Sequence, residues 1–409
     1  MIRLLHTSDW HLGKRLGDFS RLPEQRAVLE EICEIAEREE VHAVLVAGDV
    51  FDAYNPPVEA IELFYKTLKR LGKNGERAVI VIAGNHDSPD RIHAPDPLAR
   101  ACGIILAGFP SQQIAPFKLD TGLSIESPLP GIIKINIPGV SFPLNIIHTA
   151  YANEFRMQMF MGTENPEDGL RASLQKFWAE LAEGIDASAE VTVLLSHLYM
   201  VERHGERPAE PLDEEKPILI PGGASEVFTD LLPDCFQYTA LGHLHRRQCI
   251  SKMPGPVMYS GSPLSYSFSE ASQKKYVEIV ELSPGNAAKH RPVELNSGKP
   301  LERKTFSSSE DAALWLTANP DCLVEITLKL DKYLSPAIIR QLHSIHSGII
   351  GIIPDISIPD EDNPGLVLPD LSDSIDDLFV SYFKSRHGFV PDEALMGLFH
   401  EVLSDNSEA

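Results

Sequence analysis

Five short motifs carry side chains able to hold metal ions: Asp9-Trp10-His11, Gly48-Asp49-Val50-Phe51-Asp52, Gly84-Asn85-His86-Asp87, the single His197, and Gly242-His243-Leu244-His245. Together they offer carboxylate, imidazole and amide ligands enough for two divalent cations, which is equipment for hydrolysing phosphate esters. In Asp9-x-His11 and His243-x-His245 the spacing matches the period of an extended strand, so both side chains of a pair are expected on one side. A glycine precedes Asp49, Asn85 and His243, where a sharp backbone turn at a strand end is expected. A carboxylate can bridge two cations. The expected division is Asp9, His11, Asp49 and His245 around one metal, with Asp49, Asn85, His197 and His243 around the other. Oxygen and nitrogen donors without thiolate favour manganese, iron or zinc over calcium, manganese first. Two such cations, roughly 3.5 to 4 Å apart, can hold and activate a hydroxide for in-line attack. His86, beside a ligand but not assigned to a metal, is the candidate to protonate the leaving alkoxide or stabilise the transition state. Asp52 or Asp87 could orient its ring, and Asp52 is preferred because it shares a turn with Asp49. The other ten histidines are read as structural or solvated.

The elements around these motifs alternate between strand and helix. Residues 3–6, 43–47 and 79–83 are apolar strand runs, and each ends at a ligand motif. Between them, Val28, Leu29, Ile32, Ile35 and Ala36, then Ile61, Phe64, Leu68 and Leu71, recur at helical spacing. This order implies parallel pairing with helices on both faces, and chemistry at the strand ends. Residues 104–150 read as antiparallel strands and loops, and Leu170 to Leu181 as a helix. Residues 191–196 read as a strand delivering His197, 204–223 as a long polar loop near the site that orders with substrate, and 276–282 as a closing strand. Beyond residue 295 the pattern becomes strand 323–330, helix 335–346 and strand 349–353, and then two acidic amphipathic helices. There is no internal repeat and no GxxxxGK[ST] loop, so any ATP would be bound by another chain.

The composition, 43% hydrophobic and 23% charged, is that of a globular protein, and no apolar run approaches the roughly 18 residues of a membrane span. Met1 leads straight into Ile2–Leu5 and the first motif. This leaves no room for a signal peptide and points to the cytoplasm. The five cysteines are widely spaced, so reduced, mostly buried thiols are expected and a cysteine zinc site is not. A net charge of −23 argues against contact with a nucleic-acid backbone. The excess is concentrated in the last 55 residues, with thirteen Asp and Glu against Lys384 and Arg386. Basic pairs remain at Lys14-Arg15, Arg246-Arg247, Lys274-Lys275 and Arg303-Lys304. Each is expected at a solvated surface, but the first two directly follow ligand motifs, where they could face a phosphate.

The ordered set resembles the calcineurin-like metallophosphoesterase superfamily, whose pattern is DxH, GDxxD, GNH(D/E), H and GHxH. The flanking residues, His6-Thr7-Ser8 and Leu12-Gly13, Pro56-Pro57, Ser88, Arg246 and Gly261-Ser262-Pro263, are similar to the SbcD family, the nuclease components of bacterial SbcCD complexes. The similarity is strong over residues 1 to about 280. It implies an α/β fold: a metallophosphoesterase β-sandwich core with flanking helices, plus a small α+β capping domain and C-terminal helices. The implied divisions are 1–283 for the nuclease domain, 295–354 for a β-α-β cap and 370–405 for a helical tail that docks on an SbcC-type ATPase. The implied activity is a manganese-dependent double-strand exonuclease that also cuts single strands and hairpins endonucleolytically, in DNA recombination, repair and replication. The implied assembly is a homodimer within a heterotetramer. The resemblance carries ligand roles onto Asp9, His11, Asp49, Asn85, His197, His243 and His245, and catalysis onto His86. Archaeal and eukaryotic relatives place a second histidine where this chain has Asp52, so an Asp52–His86 pair replaces that arrangement.

Two other readings compete. A protein phosphatase of the same fold typically carries Arg after GDxxD and Glu after GNH, where this chain has Ala53 and Asp87; a nucleotide phosphodiesterase is the variant of that rival. A non-catalytic scaffold would generally have lost ligands, and this chain keeps all seven and His86.

Overall fold

The computed structural model of the 409-residue chain describes residues 1–153, 156–157, 166–209, 226–330 and 335–356, with single positions between 376 and 399. Met1–Lys329 with Leu334–Pro354 form one compact unit, and Leu330–Tyr333 with Asp355–Ala409 a second.

In the first unit, β1 (Ile2–Thr7), β2 (Ala43–Ala47) and β3 (Ala78–Ile82) are linked by α1 (Leu22–Arg38) and α2 (Val58–Leu71). The three strands pair in parallel, as their continuous apolar runs predict for a sheet covered on both faces. Ile104–Ala107, β4, extends the same sheet in parallel beyond β3 and does not join the antiparallel region expected from residue 104. The coverings differ from the helices on both faces that strand and helix order suggest, and agree with the β-sandwich core that the resemblance implies. Helices α1 and α2 lie side by side on one face, and the other face is covered by a second sheet.

That second sheet is built on β5 (Leu144–Thr149), β6 (Val191–His197) and β7 (Tyr238–Gly242), all parallel to one another. An antiparallel meander, Phe117–Lys118, Ser124–Glu126 and Ile132–Asn136, extends it past β5. Its side chains alternate as a sandwich requires. Val193 and Leu195 enter the core shared with the first sheet, and Leu194 enters the core under α3 (Pro166–Ala182) beside Leu174 and Trp178. Buried Trp178 satisfies its indole N–H on Thr149 Oγ1 at 2.9 Å. Lys275–Leu282, β8, pairs antiparallel with β1, and beyond it Lys289–Leu295 pairs antiparallel with β8 at the edge of the first sheet, so β8 is not the closing strand expected.

The small sheet that follows is larger than the expected β-α-β unit. It runs β9 (Leu301–Phe306), α4 (Ser309–Ala318), β10 (Leu323–Leu330), α5 (Pro336–Ile345) and β11 (Ile349–Ile356), with strand order β9-β10-β11. The signal missed for α4 is its start: Ser308 Oγ accepts from Asp311 N at 3.1 Å, a side-chain cap of the S-x-x-D kind. Leu301 and Leu323 are buried with Phe268, and Leu16, Phe19 and Ile350 pack against them, all within the first unit.

The long loop expected at 204–223 lies largely outside the described residues, as does most of the tail. Of the tail, positions 376, 378–380, 383, 395–396 and 399 are helical, and Phe379 stacks on Phe399 at 3.9 Å between ring centroids. All five cysteines are free, but only Cys33 and Cys322 are buried; Cys249 is exposed, contrary to the expectation of mostly buried thiols. No helix among the described residues is long and apolar enough to cross a membrane.

The two sheets approach closely where β7 ends against β2. A Cβ on Gly242 would stand 1.9 Å from the Ala47 carbonyl oxygen and 2.9 Å from His197 Nδ1. Neither obstacle is a flexible side-chain tip, so Gly242→Ala is expected to cost about 1–3 kcal/mol by overpacking. The urea midpoint of the variant relative to wild type reads this; an unchanged midpoint would contradict the close packing of the sheets.

Candidate metal centre

Every ligand motif lies at or just past the carboxyl end of a parallel strand. Asp9 and His11 follow β1, Asp49 follows β2, Asn85 and His86 follow β3, His197 is the last residue of β6, and His243 and His245 follow β7. The sandwich therefore brings five chain segments to one edge, as open α/β sheets do with ligand sites. The pairs Asp9/His11 and His243/His245 are not extended, however. Asp9, His11, Asp49 and His243 have φ of +53°, +43°, +47° and +106°, so left-handed backbone, and not strand alternation, aims these side chains. The loops after β1 and β2 are joined by Asp9 N to Gly48 O and His11 N to Asp49 O, both 3.0 Å. Gly48 makes the expected turn with φ +87°. At Gly84 and Gly242 the requirement is close approach instead: a Cβ on Gly84 would lie 2.1 Å from Asp49 Oδ1.

The seven expected ligands converge as two groups around Asp49. Asp9, His11 and His245 present donor atoms within 4.8 Å of one another, and so do Asp49, His197 and His243. Asp49 Oδ2 is 3.3 Å from His197 Nε2 and 3.8 Å from His11 Nε2, which puts one carboxylate within reach of both groups. Asn85 Oδ1 stands 2.9 Å from His197 Nε2 and 3.0 Å from His243 Nδ1. His11 Nε2 and His245 Nε2 are 3.0 Å apart.

These contacts fit bound cations. His197 Nδ1 donates to the Ala47 carbonyl at 2.7 Å, so in the neutral ring the Nε2 lone pair faces the oxygens of Asn85 and Asp49. A proton or a metal ion can sit favourably among those lone pairs. In the metal-free arrangement a proton does so: burial works to lower the His197 pKa, but the Asp49 carboxylate outweighs it and raises it to about 9. Burial would likewise raise Asp49, yet His197 and His11 hold it well below the usual carboxylate range. Asp9 is raised by burial, with His197 and His245 opposing. Burial, with His197 next, pushes His243 down to about 3, and its buried Nε2 has no hydrogen-bond partner among the described residues. A buried set of donor atoms of this kind is stabilised by a positive charge placed among them.

The expected catalytic pair is present in altered form. His86 is exposed at the rim, its N–H donates to Asp49 Oδ1 at 2.9 Å, and its ring stands edge-on to His11 at 4.9 Å between centroids. Its Nδ1 meets the main-chain carbonyl of Asp52 at 3.0 Å, not the Asp52 carboxylate. That carboxylate lies 3.1 Å from Lys14 Nζ and 3.5 Å from His11 Nδ1. Asp87, the alternative orienter, is fully occupied with backbone: it accepts from Val50 N, Phe51 N and Gly84 N at 2.8–3.0 Å and locks the second motif loop to the third. Burial raises its pKa, Asp49 adding to the rise.

Several contributors carry no sequence signal. Arg156, from the stretch without motifs, donates to the carbonyls of Gly84 (2.6 Å) and Asp87 (2.8 Å) and lies over Tyr151. Gln25 of α1 reaches the His11 carbonyl at 2.7 Å. Glu270 accepts from His245 Nδ1 at 3.2 Å and pairs with Lys275. Lys275 is therefore buried, against the expectation that its basic pair is solvated. Arg247 is turned away to Glu278, so of the pair after the last motif only exposed Arg246 can face a phosphate.

The model of the calcineurin-like phosphoesterase family matches residues 2–247. A relative from Bacillus subtilis (strain 168), named as the SbcD component of nuclease SbcCD, is 35% identical over 415 residues, covering 100% of this chain and 99% of the relative. Relatives of the same name from Rhodobacter capsulatus and Escherichia coli K12 are 34% and 28% identical. The first alignment covers 71% of this chain and 69% of the relative, the second 81% and 79%. With the family pattern spanning most of the sandwich and a full-length relative at this identity, the chain belongs to the calcineurin-like phosphoesterases, in the group whose members are named as the SbcD component of nuclease SbcCD.

Proposed function

We propose that this chain is a metal-dependent DNA nuclease, a double-strand exonuclease and single-strand or hairpin endonuclease, that works with an SbcC-type ATPase in DNA recombination, repair and replication. The observation that carries the hydrolytic part is the placement of the Asp49 carboxylate between two converging histidine groups. The names of the relatives support DNA as the substrate and the ATPase as partner. Asp9, His11, Asp49 and His245 would hold one cation and Asp49, Asn85, His197 and His243 the other, with manganese the metal of choice for this donor set. Two bound divalent cations would neutralise phosphate oxygens and activate water for in-line attack.

The chain's own residues do the rest. Asp9 and Asp49 contribute two negative charges against four positive ones, so the loaded site keeps a net positive charge for an anionic diester. With Nδ1 donating to the Asp52 carbonyl, His86 would act as an acid in its imidazolium form, giving the Nε2 proton at the open rim to the leaving alkoxide and remaining as the neutral Nδ1–H ring. We assign the divisions 1–283, 295–354 and 370–405 to nuclease domain, cap and partner-binding tail. A homodimer of this chain within a heterotetramer completes the proposal, and the cytoplasm is its compartment.

The test is incubation of purified protein, with and without the ATPase partner, with linear duplex DNA, hairpin DNA and a phosphopeptide in manganese. DNA should be cut and the phosphopeptide spared; the reverse pattern would establish a phosphatase. His86→Ala should lower nuclease kcat by about 10²–10⁴-fold with cation binding retained, and unchanged turnover would remove His86 from catalysis. Because cation binding must displace the His197 proton, whose pKa is raised to about 9, apparent affinity should weaken about tenfold per pH unit from pH 8 to 6. Calorimetric manganese titrations read this, and a flat profile would speak against His197 as a ligand. Deleting the chain from Leu371 onward should abolish co-purification with the co-expressed ATPase while leaving manganese binding intact.

A further inference from the structure

The segment Gly261-Ser262-Pro263 and the pair Lys274-Lys275 stand out in the sequence, yet neither supplies a ligand. In the structure both serve His245. Glu270, Lys275 and Ser262 are buried, with side-chain exposures of 1% for Glu270 and 8% for Lys275. Lys275 Nζ donates to Glu270 Oε2, to Ser262 Oγ at 2.9 Å and to the main-chain carbonyl of His245 at 3.2 Å. Ser262 N donates to that same carbonyl at 3.1 Å. Glu270 Oε1 takes the Nδ1 side of the His245 ring at 3.2 Å and the Tyr266 N–H at 3.3 Å. Gly261 brings this segment under His245, since a Cβ there would stand 2.6 Å from the His245 carbonyl oxygen. His245 is thus gripped twice, at its backbone by Lys275 and Ser262 and at its ring by Glu270.

A buried ion pair is a poor source of stability, because desolvation of both charges offsets most of their attraction. Its presence one hydrogen bond from a ligand ring has a different consequence. A carboxylate at Nδ1 fixes the proton there, leaves the Nε2 lone pair toward Asp9 and His11, and raises the basicity of that nitrogen. His197, in the other group, receives only a neutral carbonyl, that of Ala47. We infer that Glu270, anchored by Lys275, is a positioning residue for the cation site of Asp9, His11 and His245: it selects the His245 tautomer and strengthens that ligand, and leaves the Asn85–His197–His243 site untouched. This rests on the two-cation half of the proposed function and not on DNA as substrate.

The test is manganese titration by calorimetry on the full chain for wild type, Glu270→Gln and Glu270→Ala, with the unfolding midpoint of each measured in chelator. Glu270→Ala should weaken one of two binding steps 10- to 100-fold and the other by less than about threefold. Glu270→Gln, which keeps an acceptor oxygen for Nδ1, should lose less, and it carries the test if the alanine variant fails to fold. Equal weakening of both steps, parallel to a fall in the chelated midpoint, would show a merely structural role and overturn the inference, as would unchanged binding in both variants. A wild type that binds two cations with this asymmetry but cuts no DNA leaves the inference standing and refutes the nuclease reading; one that binds fewer than two refutes both.

Discussion

Like-signed lone pairs meet at the seam of this sandwich, and the rest of the molecule is arranged around them. Asp49 Oδ2 and Asn85 Oδ1 both face His197 Nε2, whose ring is already committed through Nδ1 to the Ala47 carbonyl. Asp9, Asp49 and His197 are all buried, so the conflict is felt at short range and with little solvent screening. A positive charge placed among these atoms relieves it. The raised His197 pKa and the depressed Asp49 pKa are two views of that one demand for a cation.

Meeting the demand imposes its own cost on the backbone. Four of the candidate ligands, Asp9, His11, Asp49 and His243, sit at positive φ, where an L-residue gives up roughly 1–2 kcal/mol. Asp and His are among the residues that tolerate this region best, so the residue types that ligate metals are also those that suit the turns delivering them. The glycines divide the remaining work. Gly48 makes a turn no side chain would favour, whereas Gly84 and Gly242 let one loop or sheet touch another. Strain held in this way persists only where surrounding contacts over-determine it. The surroundings are explicit: Asp87 on three backbone amides, Gln25 on the His11 carbonyl, Arg156 on the Gly84 and Asp87 carbonyls, Lys275 on that of His245.

Much of this architecture is legible in the sequence because it follows from short-range rules. Apolar runs at 43–47 and 78–82 can only be strands buried on both faces, and the 3.6-residue spacing of α1 and α2 leaves little choice of element. The seven candidate ligands and His86 can be picked out by residue type and order, and the fold brings them close together. Local periodicity misleads where tertiary contacts rule. Strand alternation does not orient Asp9 and His11, and Asp52 reaches His86 with its carbonyl while its carboxylate turns to Lys14. Helix α4 escapes notice because its apolar face is weakly marked and only its cap announces it.

The sequence by itself determined most of the elements, which residue types can bind a cation, and that a strongly acidic stretch follows the last strand. Those properties depend on side-chain chemistry and on neighbours a few positions away. The tertiary structure decided that a second sheet covers the parallel strands, as the β-sandwich resemblance implies and strand and helix order alone does not. It also placed Asp49 between two histidine groups and gave Arg156, Glu270 and Lys275 their partners. Lys275 looks like half of a surface pair until the fold buries it against Glu270, and Arg156 has no motif at all. A long side chain can reach a carbonyl 72 residues away in sequence, as Arg156 does at Gly84, and no local pattern records which carbonyl the folded chain will bring to it.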